Sequence, residues 1–323
     1  MKKALLVGLD NYQKENKLSC CANDACAINE LLEVNGDGTR NFDTKLIAGE
    51  CTKNELYYNI YELFKGNEDI SLLYFSGHGA ENDGGYLVTT DFTSDNLGVR
   101  MDDILNLANN SPCKNKVIIL DCCFSGAMGQ SLLLKNKALL GDGVTILSAS
   151  RANEASIEEK TMGHGLFTGL LIQGLSGGAA DISGSITPAS LYSFVDQSLG
   201  AWQQRPVFKT NISQFLPLRN VVPRVSKEIL RKIKDYFKNP EDFLPLDPSY
   251  EFTNVNNIPH SVVKPYANPE HVAIFKDLQA LESIGLVEPV GEDHMYFAAM
   301  HNKSCRLTLL GIHYWHLAED KRF

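Results

Sequence analysis

Short apolar runs alternate along the N-terminal part of the chain with longer stretches whose apolar positions recur at helical spacing. Leu72-Leu73-Tyr74-Phe75 and Val117-Ile118-Ile119-Leu120 are apolar at every position and bounded by small or polar residues. That is how strands look when both faces of a parallel sheet are covered. Residues 4–9, 45–47 and 144–147 read as further strands, and residues 26–32, 54–64, 102–108 and 166–171 as helices. Strands and helices in alternation predict an α/β sheet, mostly parallel, with helices on both faces.

The pattern changes after Pro217–Pro223, where a domain boundary is expected. Residues 240–269 hold Pro240, Pro245, Pro248, Pro259, Pro265 and Pro269, a density that argues against regular structure and predicts a connector over 221–269. Beyond it, Ile274, Leu278 and Leu281 recur at helical spacing and Gly285 suits a helix end. Residues 286–290 and 295–299 alternate like a hairpin, and 309–318 read as a helix. This order predicts a small α+β module over 270–323, winged-helix-like in layout. His260, His271, His294, His301, His313 and His316 all lie in this tail. His313 and His316 are spaced to share a helix face and a metal, but scattered surface histidines are the commoner reading of such a pair.

The chemistry collects where the two densest apolar runs end. Tyr74-Phe75-Ser76-Gly77-His78-Gly79 follows the first, and Asp121-Cys122-Cys123-Phe124-Ser125-Gly126 the second, which places His78 45 residues before Cys123. The C-terminal ends of strands are where open α/β sheets keep their ligand crevices. A thiolate is a far better nucleophile than a thiol, and an adjacent imidazole supplies the base that makes it. Flanking glycines let backbone N–H groups approach a substrate. The amides of Gly79 and Cys123 are thereby candidates to hold an oxyanion, a contribution of about 3 kcal/mol per donor in a hydrolase.

In these segments the chain resembles the caspase-like cysteine peptidases, in their metacaspase and bacterial caspase-homologue branch. Asp121-Cys122-Cys123-Phe124-Ser125-Gly126 follows the metacaspase form Asp-x-Cys-x-Ser-Gly, which assigns the nucleophile to Cys123 rather than Cys122. Ala4–Gly8, Cys21-Ala22-Asn23-Asp24-Ala25, Ser148-Ala149-Ser150 and Gly163-His164-Gly165-Leu166-Phe167-Thr168 match as well, over roughly residues 1–215. The resemblance implies a caspase-like sheet in a peptidase domain over residues 1–220, and cleavage after Arg or Lys. It maps the substrate pocket onto Cys21, Asp24, Ser76 and Asp121. Two carboxylates suit a guanidinium and repel an acidic side chain. Asp24 also suits a helix cap, with Asn23 competing. Asp121 is harder to explain structurally, since a carboxylate closing an apolar strand is costly to bury.

A calcium site of the kind some metacaspases carry would match Asp102 and Asp103 but fall otherwise on Gly84 and Gln130. Half a set of oxygen ligands predicts weak binding or none, so no metal or cofactor is expected. His164, in the second Gly-His-Gly, precedes an amphipathic stretch and reads as a helix-entry residue. Lys135 and Lys137 lie in a glycine-bounded segment where related peptidases carry a cleavable loop, and are candidate self-cleavage sites.

Composition narrows the setting. Lys and Arg total 30 against 39 Asp and Glu, a net charge of −9, without the basic excess of a phosphate-binding surface, so nucleic acid is an unexpected partner. No 18-residue apolar run and no secretory core follow Met1-Lys2-Lys3. Adjacent pairs Cys20-Cys21 and Cys122-Cys123 make poor bridges and suit a reducing cytoplasm. The expected protein is a cytoplasmic cysteine endopeptidase acting on proteins with basic residues, with a protein partner for its tail, in a bacterial stress or defence pathway by resemblance. The alternative is a catalytically inactive caspase-like adaptor acting through its C-terminal domain.

Overall fold

The computed structural model describes residues 1–12, 17–82, 84–122, 139–149, 163–199, 206–212, 214, 216–255 and 262–322. They form two compact units, Met1–Val222 and Pro223–Phe323.

The first unit runs β1 (Lys2–Leu9), α1 (Cys21–Glu33), β2 (Asp43–Gly49), α2 (Lys53–Phe64), β3 (Ile70–Ser76), β4 (Gly79–Glu81), β5 (Gly85–Leu87), β6 (Val99–Arg100), α3 (Met101–Asn109), β7 (Asn115–Asp121), β8 (Val144–Ser148), α4 (Leu166–Gln173), β9 (Ser185–Ile186), α5 (Pro188–Ser198), β10 (Val207–Asn211) and β11 (Arg219–Asn220). Six strands form the main sheet in the order β10-β8-β7-β3-β1-β2. All its neighbours pair in parallel except β10, which closes one edge antiparallel to β8.

Strand alternation sorts the core into two layers. Leu5, Val7, Leu73, Phe75, Ile118 and Leu120 pack with Leu56 and Ile60 of α2 and Ile104 of α3. Ala4, Leu6, Leu72, Tyr74, Val117 and Ile119 pack with Ile28 of α1, Leu171 of α4 and Leu191 of α5. Each fully buried Leu, Ile or Phe contributes roughly 1.5–3 kcal/mol, which explains why these strands carry no polar face. By the same alternation Ser76 and Asp121, at the last positions of β3 and β7, belong to the α1/α4 face. Cys122, wholly buried, packs on the other.

One close approach fixes α1 against the sheet. A Cβ at Gly8 would overlap the carbonyl oxygen of Cys21 and lie 2.9 Å from Ala22 Cα. Asp10, just past β1, accepts the Cys21 and Ala22 amides at 2.9 Å each. A carboxylate on the positive end of a helix stabilises it, so Asp24 is free of the capping role its position suggests.

In the second unit the structure corrects two expectations. The stretch expected as a connector over 221–269 instead contains α6 (Lys227–Tyr236) and β12 (Phe243–Pro245), with a 3₁₀ turn at Pro248–Tyr250. Its prolines are accommodated because they supply carbonyls rather than donors. The fully buried Asn254 donates through Nδ2 to the carbonyls of Pro248, Val263 and Pro265. The second correction concerns the hairpin. After α7 (Pro269–Ser283), β13 (Val287–Val290) pairs not with 295–299 but with β14 (Ser304–Leu307), and Met295–Met300 is a helix, α8, before the closing α9 (Leu309–Glu319). The buried positions Met295, Ala298 and Ala299 fall at i, i+3 and i+4, a helical repeat that a period-2 reading misses. The small sheet has the order β12-β14-β13. His313 and His316 are both exposed on α9.

Because Gly8 has no room for a side chain, Gly8→Ala is expected to destabilise the first unit by about 1–3 kcal/mol, the cost of overpacking. Chemical unfolding monitored by circular dichroism measures this. A midpoint equal to wild type would mean that α1 does not bear on β1 as described.

Candidate active site

The site sits at the C-terminal ends of β3, β7 and β1 and is assembled from distant parts of the chain. Ser76 and Asp121 are register partners on adjacent strands, and the Gly77 amide donates to the Asp121 carbonyl at 3.3 Å. The turn bearing His78 therefore begins against the strand end that Cys123 follows by two residues. Cys123 itself, with Lys135, Lys137 and Gln130, lies outside the described residues.

The expected pocket residues gather around Asp24, which is 1 % exposed. Ser76 Oγ donates to Asp24 Oδ2 at 3.3 Å, and Cys21, whose thiol is buried, opens the same helix as Asp24. Burial pushes that thiol well above the usual cysteine range, so Cys21 stays protonated and contributes no charge. A Cβ at Gly165 would stand 3.0 Å from Asp121 Oδ2 and 3.5 Å from Asp24 Oδ2. Both carboxylates thus approach the same point beside one glycine.

Each carboxylate is supplied with donors. Thr168 Oγ1, on the first turns of α4, donates to Asp121 Oδ2 at 2.7 Å, and Tyr74 OH lies 2.6 Å from the same hydroxyl. Since Thr168 gives its proton to the carboxylate, Tyr74 donates to Thr168. Burial, then the charges of Asp121 and Asp24, hold the Tyr74 phenol well above its ordinary range. For Asp24, burial raises the pKa, opposed by the bond from His164, the Gly165 amide and Ser76. His164 Nδ1 is 2.7 Å from Asp24 Oδ1 and the Gly165 amide 3.4 Å from Oδ2. His164 does precede α4, as helix entry predicts, but its contact with Asp24 has no local signal. Only the placing of α1 beside α4 creates it.

His78 is held by a residue that motif reading passes over. Tyr12, 2 % exposed, accepts the His78 amide at 3.0 Å and donates to the Val88 carbonyl at 3.3 Å. The Val88 amide in turn donates to the His78 carbonyl at 3.0 Å. Tyr12 OH is thereby spliced into the pairing of β4 and β5 just beyond their ends. Its ring packs on the imidazole at 4.6 Å between centroids. Gly79, the other expected oxyanion donor, opens β4 opposite Leu87.

Of the calcium positions, Asp102 is paired with Arg100 at 3.5 Å, and Gly84 offers no side chain. Among the described residues, no group of three or more His, Cys, Asp or Glu is placed to hold a metal ion.

A mostly parallel sheet covered on both faces, with a histidine turn and the buried Asp121 at the ends of its central strands and the buried Asp24 on α1 beside them, defines an α/β protein of caspase-like architecture. The model of the caspase domain family matches residues 1–216, and the chain belongs to that family. It is a family of cysteine peptidases, whose substrates are proteins. Among solved structures the chain is similar to caspase-1 from Spodoptera frugiperda. The identity is 14 %, with 68 % of this chain and 90 % of that one covered and a TM-score of 0.49. No curated protein matches the chain. No helix among the described residues is long and apolar enough to cross a membrane.

Tyr12→Phe removes both the acceptor of the His78 amide and the donor to Val88. The variant is expected to lose about 1–3 kcal/mol of stability, the cost of leaving a buried polar group unpaired. Urea unfolding of wild type and variant provides the comparison. Equal midpoints would show that the hydroxyl bridge contributes nothing.

Proposed function

We propose that the protein is a cysteine endopeptidase that hydrolyses peptide bonds after Arg or Lys through a His78–Cys123 dyad. The observation that carries the reading is the pair of carboxylates, Asp24 and Asp121, placed 3.5 and 3.0 Å from one point beside Gly165 at the strand ends that lead to His78 and Cys123. Burying two acids together is unfavourable unless a cation completes the site. A basic substrate side chain supplies that cation.

In the proposed reaction His78 takes the proton of the Cys123 thiol, and the thiolate adds to the carbonyl carbon of the bond that follows Arg or Lys. The amides of Gly79 and Cys123 hold the resulting oxyanion. Collapse expels the amine, which receives the proton from His78, and leaves an acyl-enzyme thioester. Water, deprotonated by His78, then releases the acid and restores the thiol. The proposed setting, a cytoplasmic stress or defence response in bacteria, rests on the metacaspase resemblance. Contact with a protein partner is the proposed role of the second unit, whose 12 Lys and Arg against 14 Asp and Glu lack the basic excess that nucleic acid asks for.

Fluorogenic peptides and a peptide library test the reaction. Cys123→Ala is expected to abolish turnover. Cys122→Ala is expected to retain it, because Cys122 is buried in the apolar layer over α2 and α3. Cleavage is expected after Arg and Lys and not after Asp, since like charges brought together cost several kcal/mol. Preferential cutting after Asp would overturn the pocket, and loss of activity with Cys122→Ala alone would move the nucleophile.

A basic-specific enzyme can also cut itself at Lys135 or Lys137. Intact mass spectrometry of active protein beside Cys123→Ala is expected to show fragments ending at one of these residues only in the active form. Full-length protein that remains fully active refutes self-processing.

A further inference from the structure

Two strand ends and the first turn of α1 provide the pocket residues named by the sequence, but the structure adds a basic side chain from elsewhere. The turn Gly163-His164-Gly165 is fastened to α1 at three points. Asn23 Nδ2 donates to the Gly163 carbonyl at 2.9 Å, His164 Nδ1 meets Asp24 Oδ1 at 2.7 Å, and the Gly165 amide meets Asp24 Oδ2 at 3.4 Å. Gly163 has φ +71°, which a glycine adopts without strain, and this lets the turn place imidazole and amide on the same carboxylate.

We propose that His164 is a specificity-determining residue of the basic-substrate pocket, its Nδ1 fixing Asp24 as an ionised, oriented carboxylate so that affinity for Arg and Lys side chains depends on an imidazole from the turn before α4. This rests on the peptidase reading given above and goes beyond it by assigning a role that none of the four mapped pocket residues fills.

The physical case starts from burial. An acid 1 % exposed has lost its water and favours the neutral form, and a neutral Asp24 would neither attract a cation nor accept from it twice. The surroundings determine which form prevails. On α1 itself Cys21 is a protonated thiol, and Asp10 is turned to the amides at the helix start. From β3 come Ser76 Oγ, a neutral donor, and the Tyr74 phenol, protonated and committed to Thr168. From β7 comes Asp121, a like charge that disfavours ionisation of Asp24. From α4 comes Thr168, which serves Asp121. Among the described residues, His164 is the basic group paired with Asp24. An ionised carboxylate has no hydrogen to give, so the ring nitrogen donates. The imidazole, with 24 % of its side chain exposed, remains in contact with solvent and needs no full desolvation.

The sign of the pH effect follows. Burial already raises the Asp24 pKa, and the His164 bond is the largest contribution opposing it. Removing the imidazole raises it further, so Asp24 is neutral over a wider range and recovers its charge only as the pH rises.

The test measures KM and kcat on an Arg fluorogenic peptide for wild type, His164→Ala and His164→Gln, between pH 6 and 9, together with inhibition by benzamidine, an amidinium that probes the pocket without a scissile bond. His164→Ala is expected to raise KM and the benzamidine inhibition constant about tenfold near neutrality, the loss of one hydrogen bond to a charged group. Both defects should shrink toward pH 9, with kcat changed far less. His164→Gln, which keeps a donor, should recover part of the loss and serves if the Ala variant does not fold. Unchanged KM and inhibition constant in both variants, with wild type active on Arg peptides, would overturn the role of His164 and leave the peptidase reading intact. A lower KM would overturn it too, by showing that the imidazole obstructs the pocket. A wild type inactive on every Arg and Lys peptide overturns both.

Discussion

The constraint on which the rest of the first unit depends is the burial of two carboxylates at one end of an otherwise apolar sheet. An unpaired buried charge costs several kcal/mol even after relaxation, and Asp24 and Asp121 are 1 % and 8 % exposed. Every neighbouring element answers that cost. β3 contributes Ser76, α4 contributes Thr168 with Tyr74 behind it, and the turn before α4 contributes His164 and the Gly165 amide. The helix positions themselves are then constrained. Gly8 leaves no gap between β1 and α1, and Gly165 leaves room only for hydrogen beside the two acids.

A second polar problem is solved at the start of the three-stranded sheet β4-β5-β6 of the first unit. Where β4 and β5 would be expected to exchange backbone hydrogen bonds at His78 and Val88, one of them is replaced by the Tyr12 hydroxyl. The Val88 amide keeps its direct bond to the His78 carbonyl at 3.0 Å. Tyr12 also brings an aromatic ring against the imidazole, so His78 is positioned by the loop after β1 as well as by its own strand. Tyr12 packs in the α2/α3 layer, whereas Asp24 and Asp121 belong to the α1/α4 face, so the aromatic and the polar arrangement lie on opposite faces of the same sheet end.

Much of this was legible in the sequence where the signal is local. The dense runs at 72–75 and 117–120 are the centres of β3 and β7, and the helical spacing at 54–64 and 166–171 is α2 and α4. Ser76, Asp121 and Asp24 could be singled out because each stands next to such an element in a recognisable motif. Tyr12 had no comparable signal, and the motif that holds His164 and Thr168 says nothing of what they bond, since the partners of the three are 66, 140 and 47 residues away and only the fold brings them close. The second unit misled for another reason. Prolines between 240 and 269 were read for the donors they lack, while Asn254 uses the carbonyls they keep. At 295–299 alternation and helical spacing are both satisfied by so short a stretch, and packing of Met295, Ala298 and Ala299 decides for the helix.

Because the acids and their donors form one connected network, the pocket cannot be tuned residue by residue. Thr168 holds Asp121 while being held by Tyr74, and Ser76, His164 and the Gly165 amide together hold Asp24. Groups that share partners in this way couple by 0.5–3 kcal/mol rather than adding, and removing one donor leaves an acid whose neutral form is then favoured. The pocket charge is therefore a property of the network, not of Asp24 and Asp121 alone.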